Sequence, residues 1–254
     1  FRNIEKIIKT FGTIILDEMH NVSSTTFSLI IDSSFARYKI GLSGTIERKD
    51  GKHVVFRDYF GHNVIKPPKE NYMVPTILVV PSGIRFMDGT RIPWANRVTA
   101  LTQNEEYMHT VSMLAAAYAA RGHKVLVVSD RVQFLKNCAQ LTGDDTICVT
   151  GEVPHEERES LTNQILHGTK NVLFGTQAIF SEGISIDNLS CLILGTPINN
   201  EPLLTQLIGR VIRKQEKKLS PVVVDIHLLG NTAKRQASNR VGYYMKQGWE
   251  MKYI

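Results

Sequence analysis

The chain has 254 residues, of which 43% are hydrophobic and 21% charged, with a formal net charge of +6 and a pI near 9.2. This length favours two lobes over a single domain, and the composition is that of a globular protein rather than a disordered or fibrous one. No apolar run approaches the roughly 18 residues that a membrane span needs, and no signal-peptide pattern follows Phe1.

Charge and cysteine usage narrow the class further. The mild basic excess favours a polyanionic partner but is too small to establish one. Cys138, Cys148 and Cys191 lie in or beside apolar segments and form no Cys-x-x-Cys pair. We therefore predict buried, reduced thiols of a cytoplasmic protein, rather than a zinc site or disulfides.

Short apolar runs alternate with helical patterns along the chain, which predicts an α/β fold with a parallel sheet and helices on both faces. The predicted strands are 13–16, 38–42, 76–80, 124–128, 146–149, 171–174, 191–194 and 222–227. The predicted helices are 105–121, 131–141, 154–167 and 202–214. Pro67 and Pro68 disfavour both helix and sheet interior, so we place a linker there. Residues 1–70 would then be part of a first lobe, and residues 71–254 a complete second lobe.

The first predicted strand ends in two carboxylates, Asp17 and Glu18, followed by Met19 and His20. At the tip of a buried strand, one carboxylate can hold Mg²⁺ through water while its neighbour orients or deprotonates an attacking water. A strand followed by a solvated acidic turn is the alternative. Ser43-Gly44-Thr45 follows the next predicted strand, and a neighbouring position in the same sheet would bring its hydroxyls to the acidic turn.

Residues 206–213, Gln-Leu-Ile-Gly-Arg-Val-Ile-Arg, form the most informative segment. On a helix, Arg210 and Arg213 would share one face and repel each other unless an anion lay opposite. Planar guanidiniums suit a polyphosphate, because each fork donates in two directions. Structural arginines in a basic helix remain the alternative.

In order and spacing these segments resemble motifs II, III and VI of superfamily 2 helicases of the DExH branch. Further segments extend the resemblance from residue 13 to about 227: residues 45–51, 124–131, 150–158, 171–176 and 180–185. The segment 45–51, Thr-Ile-Glu-Arg-Lys-Asp-Gly, is similar to one in phage UvsW-like and, more distantly, XPB-like helicases. Ile46 stands where that group usually has proline, and Ser185 stands where an aspartate often reaches the ribose.

The resemblance implies RecA-like lobes that bind ATP and Mg²⁺ between them, the chain holding the C-terminal part of lobe 1 and all of lobe 2. It assigns catalysis to Glu18, Gln206, Arg210 and Arg213. It assigns the nucleotide and its Mg²⁺, held through water, to Asp17, His20, Gly183 and Ser185. Nucleic-acid contacts fall to Arg48, Ser129, Arg131, Thr150, Gly151 and Thr176, and coupling between the sites to Ser43 and Thr45.

The function implied is an ATP-dependent DNA helicase or translocase that remodels branched DNA in recombination, replication or repair, in the host cytoplasm if phage-encoded. Phosphate contacts carry no base sequence, so single-stranded or branched DNA would be bound regardless of sequence, and RNA stays open. No Gly-x-x-x-x-Gly-Lys-Ser/Thr phosphate loop occurs in the chain; we expect it before Phe1, in a longer protein. The motor subunit of a type I or III restriction system, or an ATPase-dead nucleic-acid-binding module, are the alternatives.

Basic and aromatic residues interleave near the C-terminus, among them Arg240, Tyr243, Tyr244, Lys246 and Trp249. Such a helix can track a nucleic-acid backbone and stack on an unpaired base. Alternatively, the rings pack on the second lobe and the lysines face water.

Overall fold

The computed structural model describes residues 8–19, 25–43, 54–66, 68–89, 91–181 and 186–254. The chain divides into two compact units, Phe1–Pro67 and Pro68–Ile254. The division falls between the two prolines of the predicted linker. The assignment of these units to the parts of two motor lobes stays a prediction.

The first unit contains two parallel strands, β1 (Thr13–Leu16) and β2 (Tyr38–Gly41), with helices α1 (Thr25–Asp32) and α2 (Val54–Phe60). Met19, Ile31 and Phe56 form its small core. Gly41 ends β2 opposite Leu16, and a Cβ there would lie 2.5 Å from the sulfur of Met19. A larger residue at 41 would therefore displace the Met19 side chain.

The second unit is built on seven parallel strands in the order β5-β6-β4-β7-β8-β3-β9. The strands are β3 (Thr76–Arg85), β4 (Val125–Ser129), β5 (Thr146–Val149), β6 (Val172–Thr176), β7 (Cys191–Leu194), β8 (Val222–Leu229) and β9 (Glu250–Tyr253). All were predicted to within a few residues except β9. That strand is Glu-Met-Lys-Tyr, lies at the sheet edge and is largely exposed, so it lacks the apolar run by which the others were found.

In the described part of this unit, seven α-helices accompany the sheet: α3 (Trp94–Thr102), α4 (Glu105–Ala120), α5 (Val132–Thr142), α6 (His155–Leu166), α7 (Gln177–Ser181), α8 (Glu201–Val211) and α9 (Asn231–Lys246). A short 3₁₀ turn spans Lys69–Asn71. Two of the helices begin at asparagine caps, because the side chains of Asn104 and Asn200 accept N–H groups of their first turns. The short helices α1, α2, α3 and α7 were not predicted from the sequence.

Helices cover both faces of the sheet. Val125 and Val127 of β4 point into one apolar core with α4 and α5, whereas Leu126 and Val128 point into a second core with α8 and α9. This confirms the predicted α/β class, with a parallel sheet buried on both faces.

The predicted burial is confirmed for two of the three cysteines. Cys138 and Cys191 are buried and Cys148 is half-buried, and all three thiols are free. Burial raises the pKa of Cys138 to about 12 and that of Cys148 to about 11, so these thiols are poor nucleophiles. Within the described ranges, no helix combines the length and apolar character of a membrane span.

The C-terminal aromatic residues pack on the second unit. Tyr243 and Tyr244 of α9 are buried, and the Trp249 ring lies edge-on to Tyr243 with 5.6 Å between their centroids. Arg240 is also buried, at 5% exposure, whereas Lys246 is exposed. The packing alternative is therefore confirmed for these rings, and Arg240 as a DNA contact is wrong because its side chain points into the core.

Arg240 pairs with Asp225, a fully buried residue of β8. Its Nε and Nη2 donate to both carboxylate oxygens at 2.7–3.1 Å, and Nη1 donates to the carbonyl of Ile198 at 3.3 Å. The Tyr244 hydroxyl donates to the same carboxylate at 3.1 Å. Desolvation would raise the pKa of Asp225, but the charge of Arg240 and its hydrogen bonds to the carboxylate lower it to about 2.

Breaking this pair should be costly. Arg240→Met leaves the Asp225 carboxylate buried without its partner, so we expect a loss of about 3–5 kcal/mol in the free energy of unfolding, measured by urea denaturation. Lys246→Met on the exposed face of the same helix is the matched control and should change stability by less than about 0.5 kcal/mol. Equal stability of the two variants would refute a dominant role for the pair.

The same pair predicts a pH signature. Because the folded-state pKa of Asp225 lies below its unfolded value near 3.9, its stabilisation is complete above about pH 4 and is lost as the pH falls through about 2. In Arg240→Met the unpaired carboxyl has a raised pKa, so acidification over the same window should reduce the stability deficit relative to wild type.

Candidate functional site

The Asp-Glu turn follows β1 directly. The exposed Asp17 accepts the backbone N–H of Glu18 on its Oδ1 at 2.8 Å. Glu18 has φ = 48°, a left-handed conformation that is uncommon for any residue but glycine. Strain of this kind concentrates at functional sites, where the surrounding structure has to hold it. The turn therefore has the backbone character expected of a working site.

Two backbone hydrogen bonds hold this turn against β2. Leu42 donates to the carbonyl of Leu16 and Met19 donates to the carbonyl of Leu42, each at 2.8 Å. Ser43 follows immediately, so the structure brings it to the same sheet edge as the two carboxylates. Thr45, His20 and Arg48 lie outside the described residues.

The carboxylates fit a weakly held Mg²⁺. Among the described residues no group of three His, Cys, Asp or Glu side chains could enclose a metal. An exposed single carboxylate such as Asp17 instead suits Mg²⁺ that keeps waters and takes phosphate oxygens as ligands. The Asp17 carboxylate is therefore compatible with a Mg²⁺ that arrives bound to a nucleotide.

In the second unit, hydroxyl side chains follow four adjacent strands. Thr150, Thr176, Ser129 and Thr196 come at the carboxyl ends of β5, β6, β4 and β7, in the order in which these strands lie in the sheet. Ser129 and Thr176 are directly paired in register. The carboxyl edge of a parallel sheet is the usual ligand-binding edge. Thr196 was not predicted, although its position after an apolar strand matches the other three.

The four hydroxyls differ in exposure. Thr176 is partly exposed, whereas Ser129, Thr150 and Thr196 are buried to 2% or less. The Ser129 hydroxyl accepts the N–H of Arg131 at 3.1 Å, and Arg131 donates through Nη2 to the carbonyl of Ala95 at 3.1 Å. Ser129 therefore shapes the loop after β4, and Thr176 offers the more accessible hydroxyl.

Arg158 organises the loop after β5. Its Nε donates to the carbonyl of Val153 at 2.6 Å and its Nη2 to that of Gly151 at 3.0 Å. The Thr150 hydroxyl accepts the N–H of Glu152 at 3.4 Å. Sequence reasoning missed this role, because an arginine in a charged helix gives no local sign that it binds the preceding loop.

Helix α8 ends at Val211, so Gln206 and Arg210 lie on it four residues apart but Arg213 lies beyond it. The prediction of both arginines on one helix face is wrong. Arg213 forms an antiparallel bridge with Tyr72, and this non-local pairing converts the end of the segment to extended backbone. The Arg213 guanidinium donates to Asp187 at 3.1 Å.

Lys218 supports this segment. Its ammonium donates to the carbonyls of Arg213 at 2.8 Å and Asp187 at 3.0 Å. Burial, with a smaller contribution from Arg213, lowers the pKa of Lys218 to about 8. This role of Lys218 was not predicted from the sequence. Gly183 and Ser185, two of the residues that the resemblance assigns to the nucleotide, lie outside the described ranges.

Comparison with known proteins identifies the family. Residues 106–215 match the model of the helicase conserved C-terminal domain. "Probable helicase D10" of Escherichia phage T5 is 43% identical over 252 residues, which are 98% of this chain and 56% of that protein. The chain belongs to the superfamily 2 helicases. It spans about half the length of the curated relatives it matches.

Two solved helicase structures share the fold. The crystal structure of UvsW of phage T4 has a TM-score of 0.56 at 21% identity, with 98% of this chain and 55% of that one covered. Dbp5 of S. cerevisiae, bound to RNA and ADP BeF3, has a TM-score of 0.65 at 12% identity, with coverages of 97% and 60%. At these identities the likeness establishes the RecA-like fold alone.

Gly195 allows the carboxyl ends of β7 and β4 to lie close together. Gly195 donates its N–H to the carbonyl of Val128 at 2.9 Å, and a Cβ there would lie 2.8 Å from that same oxygen. We expect Gly195→Ala to destabilise the helicase by about 1–3 kcal/mol in thermal or urea unfolding, because backbone has to move.

Gly242→Ala is the matched control. Apart from its chain neighbours and the backbone of its own helix, no described atom lies within 4 Å of a Cβ at this position in α9, so alanine should stabilise by roughly 0.5–1 kcal/mol through helix propensity. The same sign of effect at both glycines would contradict the assigned close approach at Gly195.

Proposed function

We propose that the whole protein is an ATP-dependent DNA helicase or translocase that remodels branched DNA in recombination, replication or repair. The observation that carries this proposal is the row of hydroxyls along the carboxyl edge of the second unit's sheet. Hydroxyls and backbone N–H groups hold phosphates without reading bases, as a motor that moves along any sequence requires.

On this proposal the phosphates of the bound DNA strand contact Thr176, Gly151 and the loop that Ser129 shapes. Thr150 supports the neighbouring loop, and Arg131 adds positive charge at the same edge. Membership of the helicase family and the arrangement of the four strand ends both support this assignment. Arg48 would add a phosphate contact from the first unit.

The nucleotide half of the proposal concerns ATP and Mg²⁺. Asp17 would hold Mg²⁺ through water, and Glu18 would orient or deprotonate the attacking water. Arg210 on α8 and Arg213 just beyond the end of that helix would stabilise charge on the transferring phosphoryl group, and Gln206 on α8 would take part in the same catalytic step. The bound Mg²⁺ supplies charge neutralisation at the phosphates. Two observations support these roles: the left-handed backbone of Glu18, and the exposed Asp17 carboxylate, which suits a Mg²⁺ that also binds phosphate oxygens.

Phosphate binding by the row of hydroxyls can be tested with the full-length protein. Thr176→Val removes one hydroxyl at nearly constant volume, so single-stranded DNA binding should weaken by about 1.5–3 kcal/mol, the value of a hydrogen bond to a charged group. The slope of log affinity against log salt should stay unchanged, because a hydroxyl releases no counterion. Thr110→Val on α4 is the control, because the Thr110 hydroxyl donates to the Glu106 carbonyl of its own helix. Identical DNA affinities of the two variants would contradict phosphate binding by the row of hydroxyls.

The nucleotide assignment has its own test. In the full-length protein, ATP turnover should depend on single-stranded or branched DNA, and Arg213→Ala should lower kcat by roughly 10²–10³ while DNA affinity stays near wild type. Lys214→Ala, an exposed neighbour, should leave kcat unchanged. Normal kcat with lost DNA affinity in Arg213→Ala would place this arginine on the nucleic acid instead.

A further inference from the structure

A cleft of about 410 Å³ opens beside the hydroxyl row. Its walls combine apolar and amide side chains from four parts of the second unit: Trp94, Gln177, Ile198, Asn199, Leu203 and Gln236. Pockets of this size and mixed lining are typical of sites for small, flat, polar-edged molecules. Thr196 of the row of hydroxyls also lines the cleft, so the cleft adjoins the strand ends that we propose to meet phosphates.

Trp94 provides an aromatic surface in this cleft. It begins α3 and keeps 37% exposure, although its ring lies 5.2 Å from that of Phe86 and 5.7 Å from the Arg97 guanidinium. Arg131, at the predicted phosphate edge, donates to the carbonyl of Ala95 in the same first turn. The ring is therefore held in place while part of it stays accessible.

The polar wall contains an unsatisfied acceptor. Gln236 of α9 is only 6% exposed, and its buried Oε1 has no hydrogen-bond partner among the described residues. A buried amide oxygen without a partner costs about 1–3 kcal/mol in proteins, so this oxygen calls for a donor from outside the described residues, such as a water or a ligand. Every unpaired nucleobase carries an N–H donor on its edge.

The cleft is continuous with the proposed path of the strand. Asp130, which lines it, follows Ser129 in the chain, and Gln177 follows Thr176. The Gln177 amide donates to Thr196, the hydroxyl at the end of β7. A strand whose phosphates lie along the hydroxyl row would thus pass the mouth of the cleft.

We propose that this cleft takes one unpaired base of the bound strand, stacked on Trp94 with an edge N–H donated to the Oε1 of Gln236. The inference rests on the proposed nucleic-acid function and adds a base-binding position to it. Stacking is tolerant of sequence, because every base has a π-face, so the site registers whether a base is present and unpaired rather than which base it is.

Tryptophan fluorescence tests the contact directly. The chain has two tryptophans, and Trp249 packs among Tyr243 and Tyr244. Oligothymidylate should quench the emission of the wild-type chain, and Trp94→Phe should abolish that quenching while still binding, since phenylalanine can stack. Unchanged quenching in Trp94→Phe would overturn the proposal.

An abasic scan supplies a second readout. A single abasic nucleotide moved along the oligonucleotide should weaken wild-type binding roughly 5- to 140-fold at one position. Trp94→Ala should bind intact and abasic strands equally, and Trp94→Phe should restore most of the difference. Tyr253→Ala, which removes an exposed ring from the edge strand β9, is the control and should behave as wild type.

The outcomes separate the two proposals. Wild-type binding that ignores every abasic position, with no quenching, would overturn the base site and leave the helicase assignment standing. Absence of any DNA binding by the full-length protein would overturn both. Equal quenching by a peptide and by the oligonucleotide would also overturn the base site and assign the cleft to protein.

Discussion

The ion pair between Asp225 and Arg240 is the interaction on which the second unit depends. It joins the middle of β8 to α9 and, through the third guanidinium nitrogen, reaches the carbonyl of Ile198. Two residues later Asn200 caps α8, the helix that carries Gln206 and Arg210. One buried charge pair therefore sets both the wall of the cleft and the start of the helix proposed to meet the nucleotide.

Most of the fold could be predicted from the sequence, because strands buried on both faces are apolar from end to end. Where prediction failed, a distant contact overrode the local pattern. Edge strand β9 is polar and exists through its pairing with β3. The helix of the last motif was extended to residue 214, yet the bridge between Tyr72 and Arg213 ends it at Val211. In both cases the two paired segments are far apart in the sequence, so the local pattern around one does not indicate the other.

The residues of the candidate site also differ in whether the local sequence could reveal them. Residues directly after predicted strands, such as Ser129 and Thr176, were found because the carboxyl ends of parallel strands meet at one edge. Trp94 and Gln236 were not, because only the folded chain brings α3 and α9 together at the cleft. Arg240 looked like a nucleic-acid contact, since composition alone cannot distinguish a buried paired arginine from a solvated one.

The order of strands in the sheet has a consequence for synthesis. β3 is the first of the seven strands to be synthesised, but its neighbours in the sheet are β8 and β9, the last two. Until those strands have been made, the buried residues Ile77, Leu78 and Val79 of β3 lack their lateral partners. Pairings of such long sequence separation form late, so the growing second unit carries an unpaired apolar strand until β8 and β9 have been made and is most exposed to aggregation in that interval.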